Sequence, residues 1–557
     1  MKILLVGINT KYIHTNPAVY YLRGYVLNEA ENRALYENSM EIAEYTINMD
    51  KDAILRDLYL KNADVYCFSC YLWNIDLVDY LMRELSKLKP SVKIWIGGPE
   101  VSFDAVERLE KEPYITGIIR GEGEKSFYLV AEDYIEGKGE ISGIIDSPNM
   151  DLDDVPFPYD DLSAFDGKIV YYESSRGCPF KCAYCLSSVD RHVRLRSMDL
   201  VEKELKAFLD AKVPLVKFVD RTFNVNKEHT RRIIEFIRDN DNGLTSFHFE
   251  IAAELVDEED IRLFGSLRRG AAQLEIGVQT TNKETLKAIN RNSDIEKLKR
   301  IVKSLQDNKN MHIHLDLIAG LPYEDMESFK RSFNEVYLMH GDQLQLGFLK
   351  VLKGSPMEER IEDYKLVYSE LPPYEVHSTK WLSYGDIIEL KEVEEMLETY
   401  HNSGQYTNIL EYVEKVFPDP YSIYKGLADY YKENGYAGLA HNRYEKYSIL
   451  RDFLISNYPA DEEEITERIL IDLYLRENVK SRPDYGQRGL IPKDEYNEFF
   501  KSGRYKEYLP GYADHSSVQS ARLAHIEKVK DGYLIFDYSA KDVITGDART
   551  VLVKSLS

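Results

Sequence analysis

The run Arg176-Gly177-Cys178-Pro179-Phe180-Lys181-Cys182-Ala183-Tyr184-Cys185 is the most informative stretch of this chain. Its C-x3-C-x2-C spacing delivers three thiolates from one short loop. Three is one fewer than a closed iron–sulfur cube or a structural zinc site normally takes. A metal centre held by three protein ligands keeps one coordination position open for something that reacts. The sequence therefore predicts a reactive metal centre on Cys178, Cys182 and Cys185.

A zinc site is the alternative for the same loop. His192 lies seven residues beyond Cys185 and could act as a fourth ligand, and Cys182-x2-Cys185 has the spacing of a zinc knuckle. No second C-x2-C pair or paired histidine follows within the usual distance. The three-cysteine centre is therefore favoured over zinc.

The composition describes an ordinary soluble protein. The 557 residues are enough for about three domains, with 44% apolar and 30% charged residues. No run of 18 or more apolar residues indicates a membrane span, and the N-terminus reads as a buried strand rather than a signal sequence. Five cysteines make no disulfide framework, so a reducing cytoplasmic location is expected.

The net charge of −24 bears on the partners of the chain. A polyanion such as RNA would be repelled unless a basic patch overrides the mean field, so nucleic acid is disfavoured. The densest basic stretch, residues 191–196, follows the cysteine loop and carries Arg191, Arg194 and Arg196. It is expected either to neutralise the negative charge of the metal centre and of the carboxylates of a bound cofactor, or to form a solvated face.

Residues 1–145 alternate strand-like and helical patterns. Short apolar runs indicate buried strands, and the segment between two of them has apolar residues at helical spacing. This alternation predicts a doubly wound parallel sheet, in which ligands bind beyond the carboxyl ends of the strands. The predicted strands are Lys2–Ile8, Val65–Ser69, Lys93–Ile96 and 118–120, and the predicted helix is Ile75–Leu88.

The loops after these strands are rich in glycine and polar residues. Glycine allows backbone to approach a bulky ligand closely, so these loops indicate a ligand site. The candidate residues are Gly7, Asn9, Thr10 and His14 after Lys2–Ile8, Tyr71, Leu72, Trp73 and Asn74 after Val65–Ser69, Gly97, Gly98, Pro99, Glu100 and Ser102 after Lys93–Ile96, and Gly121, Glu122 and Gly123 after 118–120.

Residues 146–168 form a linker crowded with aspartate and proline, which marks a domain boundary. From 169 to 385 the strand–helix alternation resumes with six units, which predicts an open partial (β/α)6 barrel rather than a complete eight-fold one. The cysteine loop follows the first of these strands, at the carboxyl end where barrel chemistry resides. The six predicted strands are Ile169–Ser174, Leu215–Val219, Ser246–Ala252, Gln273–Val278, His312–Ile318 and Gln343–Val351.

Residues 386–557 are predicted to be mainly helical, with a terminal β-hairpin turning at Asp531-Gly532. By its position this third domain is expected to cover the barrel mouth and to select the substrate. The predicted elements are helices at Ile387–Thr399, Thr407–Val416 and Tyr421–Tyr431 and strands at His525–Val529 and Tyr533–Tyr538.

The cysteine loop closely resembles the cluster loop of radical S-adenosylmethionine (SAM) enzymes. Gly97-Gly98-Pro99-Glu100 and Arg120-Gly121-Glu122-Gly123-Glu124 resemble loops of the N-terminal cobalamin-binding domain found in one large branch of that family. The resemblance covers roughly the first 385 residues. It implies a Rossmann-like cobalamin-binding domain followed by a radical SAM partial barrel.

The resemblance implies that Cys178, Cys182 and Cys185 hold a [4Fe–4S] cluster whose fourth iron binds SAM. It places Tyr184 near the adenine, Asp220 and Arg221 near the methionyl group, and Glu250 on a ribose hydroxyl. Glu275 and Gln279 alternate on one strand and are expected to face inward, while Ile318 and Gly320 belong to a loop that packs against adenine. A structural ion pair is the alternative for Glu250 and Glu275.

For the first domain, the resemblance implies cobalamin bound by the four candidate loops above. The D-x-H-x-x-G motif, which supplies a histidine to cobalt in many cobalamin proteins, is absent, so no histidine axial ligand is expected. Tyr71, Leu72 or Trp73 would then cover the lower face of the metal. Core packing is the alternative for Trp73, and buried packing rather than a redox dithiol is favoured for Cys67 and Cys70.

The combined resemblance implies a cobalamin-dependent methyltransferase that adds methyl from methylcobalamin to an unactivated carbon after hydrogen abstraction by a 5′-deoxyadenosyl radical. A radical rearrangement or oxidative cyclisation with the same cofactors is the alternative within the family, and a non-catalytic cobalamin or redox sensor is the alternative of another class. The expected partners are a small-molecule or peptide substrate and ferredoxin or flavodoxin as electron donor. Anaerobic chemistry in the cytoplasm is expected.

Overall fold

The structure, a computed structural model, describes residues 1–479 and 481–556. Two parallel β-sheets with covering helices come first, and a mainly helical region with a small antiparallel sheet follows. None of the described helices is long and apolar enough to cross a bilayer.

The first sheet has six parallel strands in the order β2-β1-β3-β4-β5-β6. Every residue of β1 and β3 is buried, as expected for central strands covered by helices on both faces. The four predicted strands and the helix at Ile75–Leu88 are confirmed, and two edge strands, β2 and β6, are added. The strands are β1 Ile3–Asn9, β2 Met40–Thr46, β3 Val65–Ser69, β4 Lys93–Gly97, β5 Gly117–Arg120 and β6 Gly143–Asp146, and the helices are α1 Pro17–Glu29, α2 Arg33–Ser39, α3 Lys51–Lys61, α4 Ile75–Leu88, α5 Ala105–Lys111 and α6 Glu124–Ile135.

The strand order reverses between β1 and β3, which lie side by side with β2 beyond β1. In doubly wound sheets the ligand crevice opens outside the carboxyl ends of the strands at this switch point. The loops after β1 and β3 flank the crevice, so the fold brings together two of the four candidate loops at its centre.

The linker contains only short 3-10 turns, at Leu152–Asp154 and Leu162–Phe165, so the predicted lack of regular structure is confirmed. It is nevertheless well packed, because Leu152, Val155 and Tyr159 are buried. The linker therefore packs against α1 through Leu152 and Val155 and joins the barrel core through Tyr159.

The second sheet is an open parallel barrel of six strands in the order β14-β13-β12-β11-β10-β7. All six predicted strands are confirmed. Residues of one face are buried against outer helices, and the alternate residues, mostly polar, are half-buried on the concave face. The strands are β7 Val170–Tyr172, β10 Leu215–Phe218, β11 Ser246–Ile251, β12 Ala272–Gln279, β13 Met311–Ala319 and β14 Gln343–Phe348, with β8 Ser175–Arg176 and β9 Arg194–Leu195 forming a small antiparallel pair beside them. The helices are α7 Met198–Asp210, α8 Lys227–Asp239, α9 Glu258–Gly265, α10 Lys283–Ala288, α11 Ile295–Asp307 and α12 Met326–Tyr337.

The first domain joins the open edge of this barrel. His14 forms a parallel bridge to Ile169, at the start of β7, and the amide of Ile169 donates to the carbonyl oxygen of Ile13 at 2.7 Å. The loop after β1 therefore continues the barrel sheet beyond β7.

The region after the barrel contains the predicted helices, and its last sheet has three strands rather than the two of the predicted hairpin. The added strand, β19, pairs with β18. The helices are α13 Ile361–Tyr364, α14 Tyr384–Leu397, α15 Thr407–Val416, α16 Pro420–Glu433, α17 Arg443–Asn457, α18 Glu462–Arg476, α19 Lys493–Lys501, α20 Tyr505–Tyr508 and α21 Ser517–Leu523, and the strands are β15 Val367–Tyr368, β16 Val376–Ser378, β17 His525–Val529, β18 Gly532–Lys541 and β19 Ala548–Val553.

Residues 386–557 were expected to cover the barrel mouth, but the contacts of their described residues with the barrel lie elsewhere. Asn402 exchanges hydrogen bonds of 2.9 Å with the backbone of Leu344 on edge strand β14. Tyr424 donates to Tyr337 of the outer helix α12 at 3.0 Å. Arg269, in the turn before β12, pairs with Asp542 at 2.8 Å. These contacts place residues 386–557 on the flank and at the amino end of the barrel, whereas Tyr374 and Val376 in the preceding segment lie at the carboxyl ends.

Candidate active site between the two parallel sheets

The cysteine loop begins two residues after β8 and is fixed by backbone hydrogen bonds. The amide of Cys178 donates to Asp190 at 2.9 Å, and Ala183 joins two neighbouring turns through Ile289 and Met357, both at 2.9 Å. All three cysteines are free; Cys178 and Cys182 are buried, and Cys185 is half-buried. The loop therefore presents three available sulfur atoms from a fixed backbone.

One positive charge, that of Arg291, lies beside these sulfur atoms. Burial raises the pKa of Cys182, and the Arg291 guanidinium opposes that effect, whereas Cys185 and Cys178 add to it. Arg291 also donates to the Tyr184 hydroxyl at 3.4 Å, and its Nε atom is buried without a hydrogen bond. Arg291 thus supplies a buried positive charge beside the cysteine loop, in contact with the predicted adenine neighbour Tyr184.

The described residues contain no group of three or more His, Cys, Asp or Glu side chains that converge on a single metal ion. This result is compatible with a cluster, because each cysteine of an iron–sulfur cube binds a different iron and the three sulfur atoms stay apart.

Asp220 holds the backbone at the base of the loop. Its buried carboxylate accepts from the Ser174 amide at 2.9 Å and from the Ser174 and Ser175 hydroxyls, both at 2.6 Å. Burial raises the pKa of Asp220 to about 6, and the hydrogen bonds from Ser174 and Ser175 limit that rise. With these oxygens engaged by the end of β7, Asp220 acts as a positioning residue for the cysteine loop.

A charged network occupies the concave face of the barrel. Glu275 on β12 accepts from His248 Nε2 at 2.9 Å and pairs with Lys217 Nζ at 3.5 Å across the neighbouring strand. Burial acts to raise the pKa of Glu275, but the His248 hydrogen bond and the Lys217 charge prevail and set it at about 2. Glu275 is therefore an ionised member of a structural network, which is the alternative that its sequence position left open.

Glu250 and Asp316 lie beside this network with fewer partners. Burial and then the Glu275 charge raise the pKa of both carboxyls, that of Asp316 to about 8. Asp316 Oδ1 is buried without a hydrogen bond, although His314 Nε2 lies 3.6 Å away. A ligand with hydroxyl or ammonium donors could supply hydrogen bonds to these two carboxyl groups.

The remaining predicted SAM neighbours lie around the same mouth. Gln279 has φ of +71° and a buried, unpartnered Oε1 atom. Gly320 has φ of +89°, and a Cβ there would lie 2.6 Å from Val376 Cγ1, so glycine is required. Ile318 is half-buried on the concave face, and Arg221 is exposed. Since the Arg221 charge acts on both Glu250 and Tyr71, it lies between the barrel and the first domain.

The loop after β3 presents aromatic rings toward this interface. Tyr71 and Trp73 stack with ring centroids 4.4 Å apart and an interplanar angle of 6°. Trp73 donates to the carbonyl oxygen of Ile8 at 3.1 Å, yet 45% of its surface is exposed. Core packing is therefore wrong for Trp73, whereas burial is confirmed for Cys67 and Cys70.

Several other predicted cobalamin neighbours shape the crevice through their own contacts. Asn74 donates to the carbonyl oxygens of Ile8 and Ser69 at 3.1 and 3.0 Å, and Asn9 donates to Glu44 at 2.9 Å. His14 bonds Tyr171 on the barrel through Nδ1 at 2.6 Å. These polar atoms form hydrogen bonds within the protein, so they shape the loops of the crevice.

The glycines allow the loops to approach one another. Gly98 has φ of +118°, and a Cβ there would overlap the Cys70 carbonyl oxygen. The other members of the predicted set follow the same strand ends: Gly7, Thr10, Leu72, Gly97, Pro99, Ser102, Gly121 and Gly123.

Two of the predicted cobalamin neighbours instead dock the domains. Glu100 accepts from the Tyr374 hydroxyl and pairs with Lys353 at 3.2 Å. Glu122 pairs with Arg176 at 3.0 Å and with Arg194. Both carboxylates thus join the first domain to the barrel chain.

Arg176 is the centre of a buried interdomain bridge. Its guanidinium donates to Glu173 at 2.9 Å, Glu122 at 3.0 Å and Glu124 at 2.5 Å. Only Gly177 separates this side chain from Cys178. The bridge therefore fixes the cysteine loop relative to the loop after β5.

Neither expectation for the basic stretch holds at Arg194 and Arg196. Arg194 pairs with Glu122, and Arg196 is buried with Glu204 at 2.6 Å. These arginines connect parts of the protein, whereas Arg191 and His192 remain exposed.

Sequence reasoning missed five ionisable residues at the site: Lys217, His248, His314, Asp316 and Arg291. The first four occupy alternate positions on strands that were themselves predicted, so the two-residue period could have identified them. Arg291 lies in the loop after α10, where no strand or helix periodicity applies. Only the tertiary structure places it beside the cysteine loop.

Family profiles match three successive parts of the chain. The B12 binding domain profile matches residues 3–131, the Radical SAM superfamily profile matches residues 172–336, and the profile described as Protein of unknown function (DUF4080) matches residues 362–551. Residues 172–336 therefore match the radical SAM superfamily, and the stretch ahead of them matches the B12 binding domain.

The chain is similar to several curated enzymes. It is 25% identical over 308 residues to 2-(S-pantetheinyl)-carbapenam-3-carboxylate methyltransferase of Streptantibioticus cattleyicolor, covering 49% of this chain and 44% of the relative. It is 23% identical over 343 residues to the cobalamin-dependent radical SAM methyltransferase TokK of Streptomyces tokunonensis, covering 54% and 49%. The chain thus spans about half the length of these two relatives. It is 22% identical over 350 residues to the anaerobic magnesium-protoporphyrin IX monomethyl ester cyclase of Rubrivivax gelatinosus, covering 57% and 60%.

Solved structures share the fold. The cobalamin-dependent S-adenosylmethionine radical enzyme OxsB with aqua-cobalamin matches 87% of this chain and 82% of its own, with a TM-score of 0.57 and 16% identity. The radical S-adenosylmethionine methyltransferase TsrM of Kitasatospora setae, with cobalamin and a [4Fe–4S] cluster bound, matches 65% and 78% with a TM-score of 0.51 and 16% identity. The predicted succession of Rossmann-like domain, partial barrel and helical region is confirmed.

Proposed function

We propose that the chain is a cobalamin-dependent radical SAM methyltransferase that adds a methyl group to an unactivated carbon. One observation carries the proposal: three free cysteines at the carboxyl end of a six-stranded partial barrel are bridged, through Arg176, to a cobalamin-type domain. This arrangement places both candidate cofactor sites around one volume between the sheets. The two methyltransferase relatives support the same reaction class.

The residues present fit the implied cofactors. Cys178, Cys182 and Cys185 would hold a [4Fe–4S] cluster, with SAM among Tyr184, Arg221, Glu250, Gln279, Ile318 and Gly320 and cobalamin in the crevice of the first domain. When bound, the cluster supplies the low-potential electron that cleaves SAM, and cobalamin supplies a methyl carrier. The unpartnered Gln279 Oε1 and Asp316 Oδ1 atoms are the internal evidence for a polar ligand.

The chain's own residues orient and shield the reaction. Asp220 and Arg176 position the cysteine loop, and Arg291 balances its negative charge. Glu250 and Asp316 would accept hydrogen bonds from ligand hydroxyl or amino groups in a half-buried barrel. Such fixed positioning and exclusion of water are what radical chemistry requires of a protein.

The first domain favours cobalamin without a histidine axial ligand. His14 is the only histidine on the four candidate loops, it lacks the D-x-H-x-x-G context, and its Nδ1 contact with Tyr171 directs the ring toward the barrel. Tyr71, Leu72 and Trp73 are then the side chains available to cover the lower face of the metal.

The finer expectations remain part of the proposal. The substrate is a small molecule or peptide, ferredoxin or flavodoxin supplies electrons, and the protein acts in the cytoplasm. A net charge of −24 disfavours nucleic acid as a substrate. Non-methylating cyclisation with the same cofactors is the second candidate, because one similar protein is a cyclase.

Cofactor loading tests the assignment of the two sites. Anaerobically reconstituted protein should hold about four iron atoms and one cobalamin per chain. Cys182→Ala should lose most of the iron while retaining cobalamin, because the two sites lie on different sheets. Loss of both cofactors in a folded variant, or full iron content, would contradict the assignment.

A further inference from the structure

The outer side of the cysteine loop carries an apolar and basic surface that no step above uses. The exposed residues of the segment 178–192 are Pro179, Phe180, Lys181, Val189, Arg191 and His192. We call this set the loop surface. Phe180 is 37% exposed and Val189 is 56% exposed, which is high for apolar side chains beside a buried site. Its one acidic neighbour in the segment, Asp190, has a partly exposed carboxylate that is paired with Arg194 at 2.8 Å.

The two halves of the loop surface are adjacent in space. The Cys178 amide donates to the Asp190 carbonyl oxygen at 2.9 Å, and Gly177 packs on the carbonyl of His192, where a Cβ would overlap it. Residues 179–181 and 189–192 therefore form one patch on the loop that carries the candidate cluster ligands.

The basic groups of the loop surface have no acidic partners. Lys181 and Arg191 take part in no ion pair within the part of the chain that the structure describes, and Arg191 donates only to the Ser188 carbonyl oxygen. By contrast, Arg176 and Arg194 nearby are each paired with carboxylates. Glu358 and Glu359 are exposed on the turn after Met357, whose amide donates to the Ala183 carbonyl oxygen at 2.9 Å.

The charge of this surface opposes that of the whole protein. The chain has 95 acidic and 71 basic residues. The acidic surface of this protein repels an acidic partner over most of its area. An unpaired basic patch with exposed apolar side chains therefore determines the site and the orientation in which such a partner docks.

We propose that the loop surface docks an acidic, ferredoxin-type electron carrier, with Lys181 and Arg191 attracting its carboxylates and Phe180 and Val189 forming the apolar centre of the contact. The inference rests on the proposed function. The reduced carrier loses one electron and the cluster held by the three cysteines gains it, with no bond formed or broken. The cysteine loop itself separates the carrier from the cluster, which keeps the path short.

Binding and reduction of wild-type protein test the proposal together. The probe is a bacterial [4Fe–4S] ferredoxin at low ionic strength, compared with reduced methyl viologen, a small cation that needs no docking surface. Lys181→Glu/Arg191→Glu should weaken ferredoxin binding and slow cluster reduction by ferredoxin about tenfold, as expected for lost electrostatic steering. Reduction by methyl viologen should not slow, and raising the salt concentration should affect the wild type more than the variant.

Two controls keep the result decisive. Arg191→Glu alone lies outside the cysteine run and should retain a normal cluster with a smaller effect of the same sign. Lys501→Glu, an exposed site on α19, should behave as the wild type. Wild-type ferredoxin affinity in Arg191→Glu and the double variant would overturn the docking proposal. Failure of wild-type protein to hold a cluster would instead count against the proposed function, since ferredoxin binding is measured separately.

Discussion

At the scale of single residues, Asp316 makes a prediction about pH. Its folded pKa of about 8 lies above the ordinary carboxyl value because it is buried beside Glu275 and Glu250. The folded state therefore retains a proton that the unfolded state releases, so Asp316 costs stability progressively as pH rises from about 4 to about 8. We expect the difference in melting temperature between Asp316→Asn and the wild type to grow by several degrees in favour of the variant as the pH is raised from 5 to 8.5.

Thermal unfolding of cofactor-free protein across this range measures the effect. Asp307→Asn, on the exposed face of α11, is the matched control and should run parallel to the wild type. A constant difference between Asp316→Asn and wild type at all pH values would contradict the assigned protonation.

Residue roles differ in how far the sequence predicts them. The three cysteines follow from spacing alone, because one loop supplies all of them. Glu122 was predicted to contact cobalamin, but its partner Arg176 is 54 positions away in sequence. Propensity and periodicity carry no information about such a pair, so its docking role emerges only from the fold.

At the scale of elements, the close approach of the loop after β4 to the end of β3 depends on Gly98. A side chain there meets two penalties, a positive φ and overlap with the Cys70 carbonyl oxygen. Gly137 also has a positive φ, of +84°, but nothing lies within 4 Å of its would-be Cβ. We expect Gly137→Ala to cost about 1 kcal/mol from backbone strain, and Gly98→Ala to cost clearly more.

Gly98→Ala should also weaken cobalamin retention, since the loop after β4 must shift away from β3. Thermal unfolding and cobalamin absorbance after gel filtration measure the two effects. Equal stability and equal cobalamin content in the two glycine variants would contradict this account of the crevice.

The bridge between β5 and the cysteine loop makes a second prediction at this scale. Glu122→Gln leaves the Arg176 and Arg194 charges undercompensated in a half-buried site, at a cost of about 3 kcal/mol. Deuterium exchange of residues 174–196 should rise, and iron retention should fall.

Asp146→Asn removes an exposed ion pair with Arg120 in the same sheet and should cost less than about 1 kcal/mol. This control separates the bridge from a general loss of charge. Unchanged exchange of the cysteine loop in Glu122→Gln would contradict the positioning role of the bridge.

Elements were predictable where their pattern was strong. Central strands such as β3 are continuous apolar runs, and barrel strands such as β13 alternate at every position. The edge strands β2 and β6 were not located, because their faces are only partly buried and their sequences are mixed. Edge strands contact one neighbouring strand, so selection for an apolar pattern is weaker.

At the scale of the whole molecule, the two sheets meet through their ligand-binding ends. Glu100 with Lys353, Glu122 with Arg176, and the bridge from His14 to Ile169 span the junction. Residues 386–557 support the barrel from its flank and its amino end. The order of domains was readable from the sequence, but the side of the barrel that the last region covers was not, because amphipathic helices do not specify their partners.

Product analysis under anaerobic conditions tests the central claim most directly. Protein loaded with cluster and cobalamin is incubated with SAM and a low-potential reductant, and Cys182→Ala is the control. The account predicts both 5′-deoxyadenosine and S-adenosylhomocysteine from the wild type, with 5′-deoxyadenosine lost in Cys182→Ala. 5′-Deoxyadenosine without S-adenosylhomocysteine would contradict methyl transfer and favour cyclisation, and neither product from fully loaded protein would contradict the proposed enzyme.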